Sequence, residues 1–420
     1  MKAYATESDR FANSRMVEIL ESIFKSENPR QYFKYATTKN ATEYNSNFEF
    51  LLQTVAAPLL AENLASLSKV STIFRSIGTV LKVSYSEYNS TDVRWYMRLW
   101  IMAFSKTVDY CDIKTDDSVP IELKVKLPND LGVRNSFNKH QENDQAVSKK
   151  SYHKRDVISF VSSICDAIFL ILSSPNLYSA ATHEEDDYIF AAIMLPLTSS
   201  MFKSSSRIWQ ITLKNVAAYI SLHSADFQTN KLKYIFHILL HIIQDLDQKQ
   251  ANISLAFKIL PLLFRFKSVL TVLDEKNFQF DLSEAISSRL YDMEWDIRVA
   301  AIGLIEDLLL SSFEDEFSFS EMGNFSKKFV LPISRRLKDA EPNVRLAALH
   351  FLTVSTKHSI FWDCLDDADS VIDEIISTSL ENSEAIVRRG AVEFLIALAS
   401  VPSFDFSTVL SYDADKPGKI

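Results

Sequence analysis

The chain has 420 residues, of which 47% are hydrophobic, so it is long enough and apolar enough to bury a continuous core. Only 6 Gly and 11 Pro occur, which is few for a sheet-rich protein, because turns and bulges use these residues and helix interiors exclude them. This composition predicts an all-α protein. The formal net charge of -9 argues against a surface built to neutralise nucleic-acid phosphates, so we expect that its partners are not nucleic acids.

The three cysteines, Cys111, Cys165 and Cys364, lie far apart without CxxC spacing, which indicates neither a disulfide framework nor a zinc cluster. The first residues are polar and include acidic side chains, unlike a secretory signal. The longest apolar runs are shorter than the roughly 20 residues that span a bilayer. These features predict a protein of the cytoplasm or nucleus with no membrane partner.

In chain order, residues 1–112 have a helical pattern that is too degenerate to register as repeats, and we interpret them as an N-terminal helical region. Residues 113–155 contain two Pro, a Gly and dense mixed charge, which predicts a polar, partly disordered loop. Helical periodicity resumes at Asp156 and continues to residue 400, and residues 401–420 form a C-terminal tail or cap.

Three stretches in the second half of the chain align without a gap. They are LYDMEWDIRVAAIGLI from Leu290, LKDAEPNVRLAALHFL from Leu337 and LENSEAIVRRGAVEFL from Leu380, at intervals of 47 and 43 residues. A weaker copy from Leu246 places Ser254 where the Arg stands, and a degenerate copy from Met201 places Trp209 there. A period of this length is typical of repeats built from two helices.

Each copy reads as a turn followed by the second helix of a hairpin. Pro342 suits a first helical turn, and four residues follow at the spacing of one helix face: Val344, Ala347, Ala348 and Phe351. We expect this face to pack inward, with the small Ala pair allowing close approach of a neighbouring helix.

The pattern of Asp339, Pro342, Val344, Arg345, Ala347, Ala348 and Leu349 resembles the HEAT repeat, a relative of the armadillo repeat. The resemblance covers residues 201–400 and implies an α-solenoid of stacked antiparallel helix pairs. It also implies a ladder between successive turns, formed by Asp292, Arg298, Asp339, Arg345 and Arg388, although the third copy has Asn382 in the Asp column. The alternative for the Arg column is an exposed row that binds an acidic segment or a phosphate.

No motif indicates catalysis, a cofactor or a metal. Six glycines leave no Gly-rich phosphate loop, and no nucleophile elbow is present. His237 and His241 stand one helical turn apart, but the Glu required by the zincin motif is missing, so both are interpreted as structural. Cys165 lies in an apolar helix and is expected to be a small core residue. We therefore predict that the protein is not an enzyme.

A stacked helical-repeat surface is suited to holding other proteins, which predicts a scaffold or adaptor subunit of a multiprotein complex. The chain also resembles HEAT-type components that support phosphatidylinositol-3-kinase-related kinases, either in the Triple-T co-chaperone complex or among ATM-activator-type proteins. For the ATM-activator type, residues 295–298 and 404–417 look similar. That resemblance implies such kinases or their chaperones as partners. The alternative is an importin-like transport receptor that binds basic cargo on an acidic concave surface, with which the net charge is compatible.

Three aromatic residues are candidate partner contacts. Trp295 stands where Pro342 and Ala385 stand in the other copies, so it either covers a neighbouring hairpin or contacts a partner. Phe404 and Phe406 follow the last clear repeat, whose apolar edge needs either a short cap or a partner. For these two residues we favour a partner.

Overall fold

The structure is a computed structural model that describes residues 154–173, 178–179, 183–223, 227–266, 268–273, 278–314, 320–356 and 368–401. The predictions for residues 1–112, for most of the 113–155 loop and for the tail with Phe404 and Phe406 lie outside these residues. The chain divides into two compact units, Met1–His223 and Ser224–Ile420.

The described part of the first unit consists of helices. They are α1 (Lys154–Leu172), α2 (His183–Thr198), a short 3-10 helix (Ser200–Phe202) and α3 (Ser206–Leu222). α3 packs against both α1 and α2 because two of its sides are apolar, with Ile208, Leu213 and Tyr219 fully buried. α1 begins at Lys154, two residues before Asp156, where the sequence pattern predicted that helix resumes.

The second unit contains nine helices within the described residues. They are α4 (Thr229–Gln244), α5 (Gln250–Leu263), α6 (Ser268–Leu273), α7 (Phe278–Arg289), α8 (Trp295–Glu314), α9 (Ser320–Ser334), α10 (Pro342–Thr356), α11 (Ala368–Glu374) and α12 (Ala385–Ala399). A 3-10 turn (Arg335–Lys338) extends α9, and a π-helical turn (Ile375–Ser379) extends α11.

The helices of this unit pair in sequence and stack in rows. α4 packs on α5, α7 on α8 and α9 on α10, while the second helices α5, α8, α10 and α12 pack one on the next. No strand occurs in the residues that the structure describes. The prediction of an all-α fold of stacked helix pairs is therefore confirmed.

The second helices begin where the sequence pattern placed them, and their apolar faces form the core. α10 starts at Pro342, whose fixed φ suits a first helical turn. Val344, Ala348 and Phe351 are buried, and Ala347 is half-buried. The inward face predicted for this helix is thus the one that packs.

The register predicted for the copy at Leu246 is wrong by one position. Leu246 is 81% exposed, whereas its supposed equivalent Leu290 is fully buried. Arg298 is the fourth residue of α8. Because α5 starts at Gln250, its fourth residue is Ile253, so Ile253 and not Ser254 is equivalent to Arg298. The cause is a longer turn: five positions separate Asp245 from Gln250 but only three separate Asp292 from Trp295.

The two glycines inside second helices are expected to respond oppositely to replacement by Ala. Nothing would lie within 4 Å of a Cβ at Gly303, so Gly303→Ala should raise the free energy of unfolding by about 0.5–1 kcal/mol through helix propensity. A Cβ at Gly390 would lie 2.8 Å from Leu346 Cδ1 and 3.2 Å from Leu349 Cδ1, because α10 and α12 approach closely there. We expect Gly390→Ala to cost about 1 kcal/mol in urea unfolding. An increase in the free energy of unfolding with both substitutions would contradict the close approach of α10 and α12 at Gly390.

The stability of the second unit is expected to depend on pH through Glu306 of α8. Burial, and secondarily the charge of Asp307, raises the pKa of Glu306 to about 7 from an ordinary value of 4.5. Because the folded pKa is raised, the stabilising effect of protonation is complete below pH 4.5 and is lost as the pH rises through 7. Glu306→Gln should therefore raise the melting temperature at pH 8, by an amount corresponding to about 1–2 kcal/mol, and leave it unchanged at pH 4.5. An exposed control, Glu284→Gln, should show no such difference between the two pH values.

Candidate interaction surface

The turns that precede α8, α10 and α12 share one hydrogen-bonded frame. In each turn a side-chain oxygen accepts the backbone N–H two residues further on, and the helix begins one residue after that N–H. The three bonds run from Glu294 N to Asp292 Oδ1 (2.9 Å), from Glu341 N to Asp339 Oδ1 (3.1 Å) and from Glu384 N to Asn382 Oδ1 (3.0 Å). Asp and Asn suit this position because their short side chains bond their own backbone in turns.

An Arg at the fourth position of each of these helices braces its own turn. Arg298 Nη1 donates to the carbonyl oxygens of Asp292 and Met293, at 2.7 and 3.1 Å. Arg345 and Arg388 make the same pair of bonds in their own turns. One guanidinium nitrogen, Nη1, thus satisfies two carbonyl groups of the turn in each case.

The second guanidinium nitrogen reaches the next turn along the row. Arg298 Nη2 donates to Asp339 Oδ1 at 2.8 Å, and both side chains are largely buried. Arg345 Nη2 lies 3.4 Å from Asn382 Oδ1, a longer contact to a neutral acceptor. The exposed Arg388 has no corresponding acceptor among the described residues. For Arg298 and Arg345 this geometry favours the ladder over an exposed row that binds an acidic ligand.

Arg289, at the end of α7, makes a further connection that the sequence pattern did not single out. Its Nε donates to Ile243 O at 2.7 Å, its Nη2 to Asp245 O at 2.9 Å, and its Nη1 to Asp292 Oδ2 at 2.6 Å. It therefore links the turn before α8 to the turn before α5. The sequence does contain a sign of this role, because an Arg directly precedes the aligned Leu in two copies, as Arg289 and Arg336. In the structure Arg336 likewise pairs with the Asp of its own turn, Asp339, at 3.5 Å.

The outer edge of these two linked turns carries exposed apolar side chains. Leu246 is 81% exposed, Met293 97%, Tyr291 54% and Trp295 40%. We call these four residues the turn-edge strip. The turns are also joined by a hydrogen bond from Gln250, at the start of α5, to Asp296 of α8, so the two turns that carry the strip lie side by side.

Trp295 is the first residue of α8 and is partly covered and partly open to solvent. The guanidinium of Arg336 stacks over the ring of another strip residue, Tyr291, 4.2 Å from its centroid. Asp247 and Glu294 flank the strip with exposed carboxylates that form no ion pair within the described residues.

One polar cluster lies in the first unit. Tyr178 and Tyr219 both donate to Asp186 Oδ1, the second at 2.9 Å, and His223 Nε2 lies 3.3 Å from the Tyr178 hydroxyl. Burial, followed by nearby charge, raises the pKa of both phenols, so they remain neutral donors. The two phenols therefore supply hydrogen bonds to the half-buried carboxylate of Asp186.

The other residues considered for chemistry lie in core or surface positions. Cys165 is buried, and burial raises the pKa of its thiol to about 12, which keeps it protonated and unreactive. His237 and His241 lie on α4, where His241 is exposed. Within the described ranges no three His, Cys, Asp or Glu side chains converge as metal ligands. None of the helices described there is long and apolar enough to cross a membrane.

Comparison with known proteins gives structural likeness but no relative. No protein-family model matches the sequence, and no curated protein matches it. The crystal structure of Cex1p matches 89% of this chain at 13% identity and a TM-score of 0.46. Kap121p bound to Pho4p matches 97% at 12% identity and a TM-score of 0.39, and the TSC2 N-terminus matches 92% at 11% identity and a TM-score of 0.33. The chain spans 56% of the Cex1p chain and 41% of the Kap121p chain.

The chain's own features define the class of protein. Paired helices stacked in rows, a common turn frame and Arg bonds between successive turns are the features of a helical-repeat protein of the HEAT and armadillo type.

Proposed function

We propose that this protein is a non-enzymatic scaffold or adaptor subunit of a multiprotein complex, and that it binds a protein partner through the turn-edge strip. The exposure of Met293 and Trp295 carries the proposal, because the turn is already held by Asp292, Arg289 and Arg298 and needs neither side chain. Contiguous exposed apolar side chains on a folded surface are typical of interaction sites. Trp and Tyr, which are both members of the strip, are among the residues most often found at binding hot spots.

We further propose that the complex acts in the cytoplasm or nucleus and supports phosphatidylinositol-3-kinase-related kinases as a co-chaperone-type factor. This narrower role rests on the resemblance of residues 295–298 and 404–417 alone. Phe404 and Phe406 remain proposed partner contacts, because the last clear repeat has an apolar edge that needs either a cap or a partner.

A transport receptor of the importin type is the second candidate. It is favoured by the net charge of -9 and by the exposed carboxylates beside the strip. The two functions differ in the lifetime of the complex, since a subunit remains bound at constant stoichiometry whereas a receptor must release its cargo.

Purification of the tagged protein from its native cells, with quantitative mass spectrometry, tests the proposal. We expect a stoichiometric partner with the wild type and at least a tenfold loss of it with Met293→Ser/Trp295→Ser, which removes about 2–3 kcal/mol or more of binding energy. Leu331→Ser is the matched control, because Leu331 is a comparably exposed apolar residue on α9.

Equal recovery with both variants would contradict the proposed surface, provided that the double variant melts at the wild-type temperature. Met293→Ser alone provides a variant that leaves packing intact, because Met293 is 97% exposed. A partner recovered only transiently, and released by a small effector, would favour the receptor.

A further inference from the structure

We infer that the turn-edge strip binds a segment that combines apolar residues with Lys or Arg, an inference that rests on the proposed function and names its partner by chemistry. The strip supplies apolar contact through Leu246, Met293 and Trp295. Met293 is a suitable contact because its unbranched thioether adapts to differently shaped partners. The charges around the strip determine which segments can approach.

The three arginines that contact the two turns, Arg289, Arg298 and Arg336, are already engaged within the fold. Arg289 is buried and makes bonds to two carbonyl groups and one carboxylate. Arg298 is buried in the ladder, and Arg336 pairs with Asp339 while stacking on Tyr291. A guanidinium held in this way cannot turn outward to meet an acidic partner without breaking those bonds.

The carboxylates beside the strip are available. Asp247 in the turn before α5 and Glu294 in the turn before α8 are both exposed, and neither forms an ion pair within the described residues. Glu341 and Glu384 stand at the position of Glu294 in the next two turns, so an acidic side chain precedes each of these helices. Within the two turns, residues 245–250 and 290–296, Lys249 is the one exposed cation. A basic segment is therefore attracted to the strip and an acidic one is repelled.

The dimensions require only a short segment. Packed helices lie roughly 8–10 Å apart, so the two turns are separated by about three residues of extended chain or two turns of helix. A basic residue between two apolar ones can then place its charge between Asp247 and Glu294 while the apolar side chains meet Leu246 and Met293.

Fluorescence anisotropy with the full-length protein tests the inference. The probe is a fluorescein-labelled amphipathic peptide of about 12 residues containing only Leu and Lys, and a second peptide carries Glu in place of every Lys. We expect saturable binding of the Lys peptide, with a Kd on the order of 10 µM at low salt, and at least about tenfold weaker binding of the Glu peptide.

Charge reversal then locates the binding. Asp247→Lys/Glu294→Lys should weaken the Lys peptide about tenfold or more and strengthen the Glu peptide. The matched control is Asp187→Lys/Glu284→Lys, which changes the net charge by the same amount at exposed positions outside the strip and should leave both affinities within about twofold. Equal affinity for the two peptides, or an equal effect of both charge reversals, would overturn the inference.

The native partner separates this inference from the proposed function. If Met293→Ser/Trp295→Ser loses the partner while Asp247→Lys/Glu294→Lys keeps it, the strip binds a protein but the predicted chemistry of the partner is wrong. If the charge reversal also loses it, and only the charge reversal switches the peptide preference, both proposals are supported.

Discussion

Arg289→Ala is expected to lower the free energy of unfolding of the second unit by about 3–5 kcal/mol, which equals the largest effect expected of any single substitution in this protein. The side chain is 7% exposed and donates to Ile243 O, Asp245 O and Asp292 Oδ2. Its removal leaves two carbonyl groups without that donor and a largely buried carboxylate without its cation, and buried groups that lose partners carry the full cost of desolvation. Because stacked repeats are stabilised by their neighbours, the loss should appear as a lower unfolding midpoint.

Arg389→Ala provides the matched control for this measurement. Arg389 has an 82% exposed side chain and, within the described part of the chain, pairs with Glu393 alone, four residues along α12. We expect a change below about 0.5 kcal/mol, as for other exposed ion pairs. Urea unfolding followed by circular dichroism measures both variants, and similar midpoints for the two would refute the role assigned to Arg289.

The Arg298–Asp339 contact is expected to show a coupling energy of about 1–2 kcal/mol in a double-mutant cycle with Ala at both positions. Arg298→Ala alone should cost about 2–3 kcal/mol, and Asp339→Ala about 3–5 kcal/mol. The second cost is larger because Asp339 also accepts the Glu341 N–H and pairs with Arg336. Both side chains are at most 11% exposed, so added salt should change the coupling little.

The equivalent contact in the next pair of units serves as its control. Arg345 and Asn382 are 3.4 Å apart and the acceptor is neutral, so we expect a coupling below about 0.5 kcal/mol. Asn382→Asp should then strengthen the contact and raise stability by about 0.5–1 kcal/mol at pH 7. Equal coupling in the two pairs would show that the charge of the acceptor does not matter, contrary to this account.

The fold could be predicted from the sequence because a repeated pattern reports the same environment several times. The Arg at 298, 345 and 388 recurs in the same short context, and an apolar face at helical spacing follows each copy. The register failed at Leu246 because the turn before α5 is two residues longer, and a gap-free alignment cannot represent an insertion in a turn.

The candidate surface could be predicted only in part. Trp295 could be predicted as a candidate contact because it stands where the aligned copies have Pro342 and Ala385. No sequence pattern distinguishes the other three residues of the strip, Met293, Tyr291 and Leu246. Their exposure depends on which side of a turn faces solvent, and turns have no periodicity from which to infer it. Arg289 was missed for a related reason, because its acceptors at Ile243 and Asp245 lie more than 40 residues earlier in the chain.

The sequence by itself determined that this protein is built of helix pairs, because local helix propensity, turn residues and apolar periodicity agree in each repeat. It also determined which Arg and Asp columns face the turns. Only the tertiary structure decided which carbonyl or carboxylate each guanidinium binds and which apolar side chains remain uncovered. Those outcomes depend on contacts between units, where a turn two residues longer leaves Leu246 exposed although the aligned Leu290 is buried.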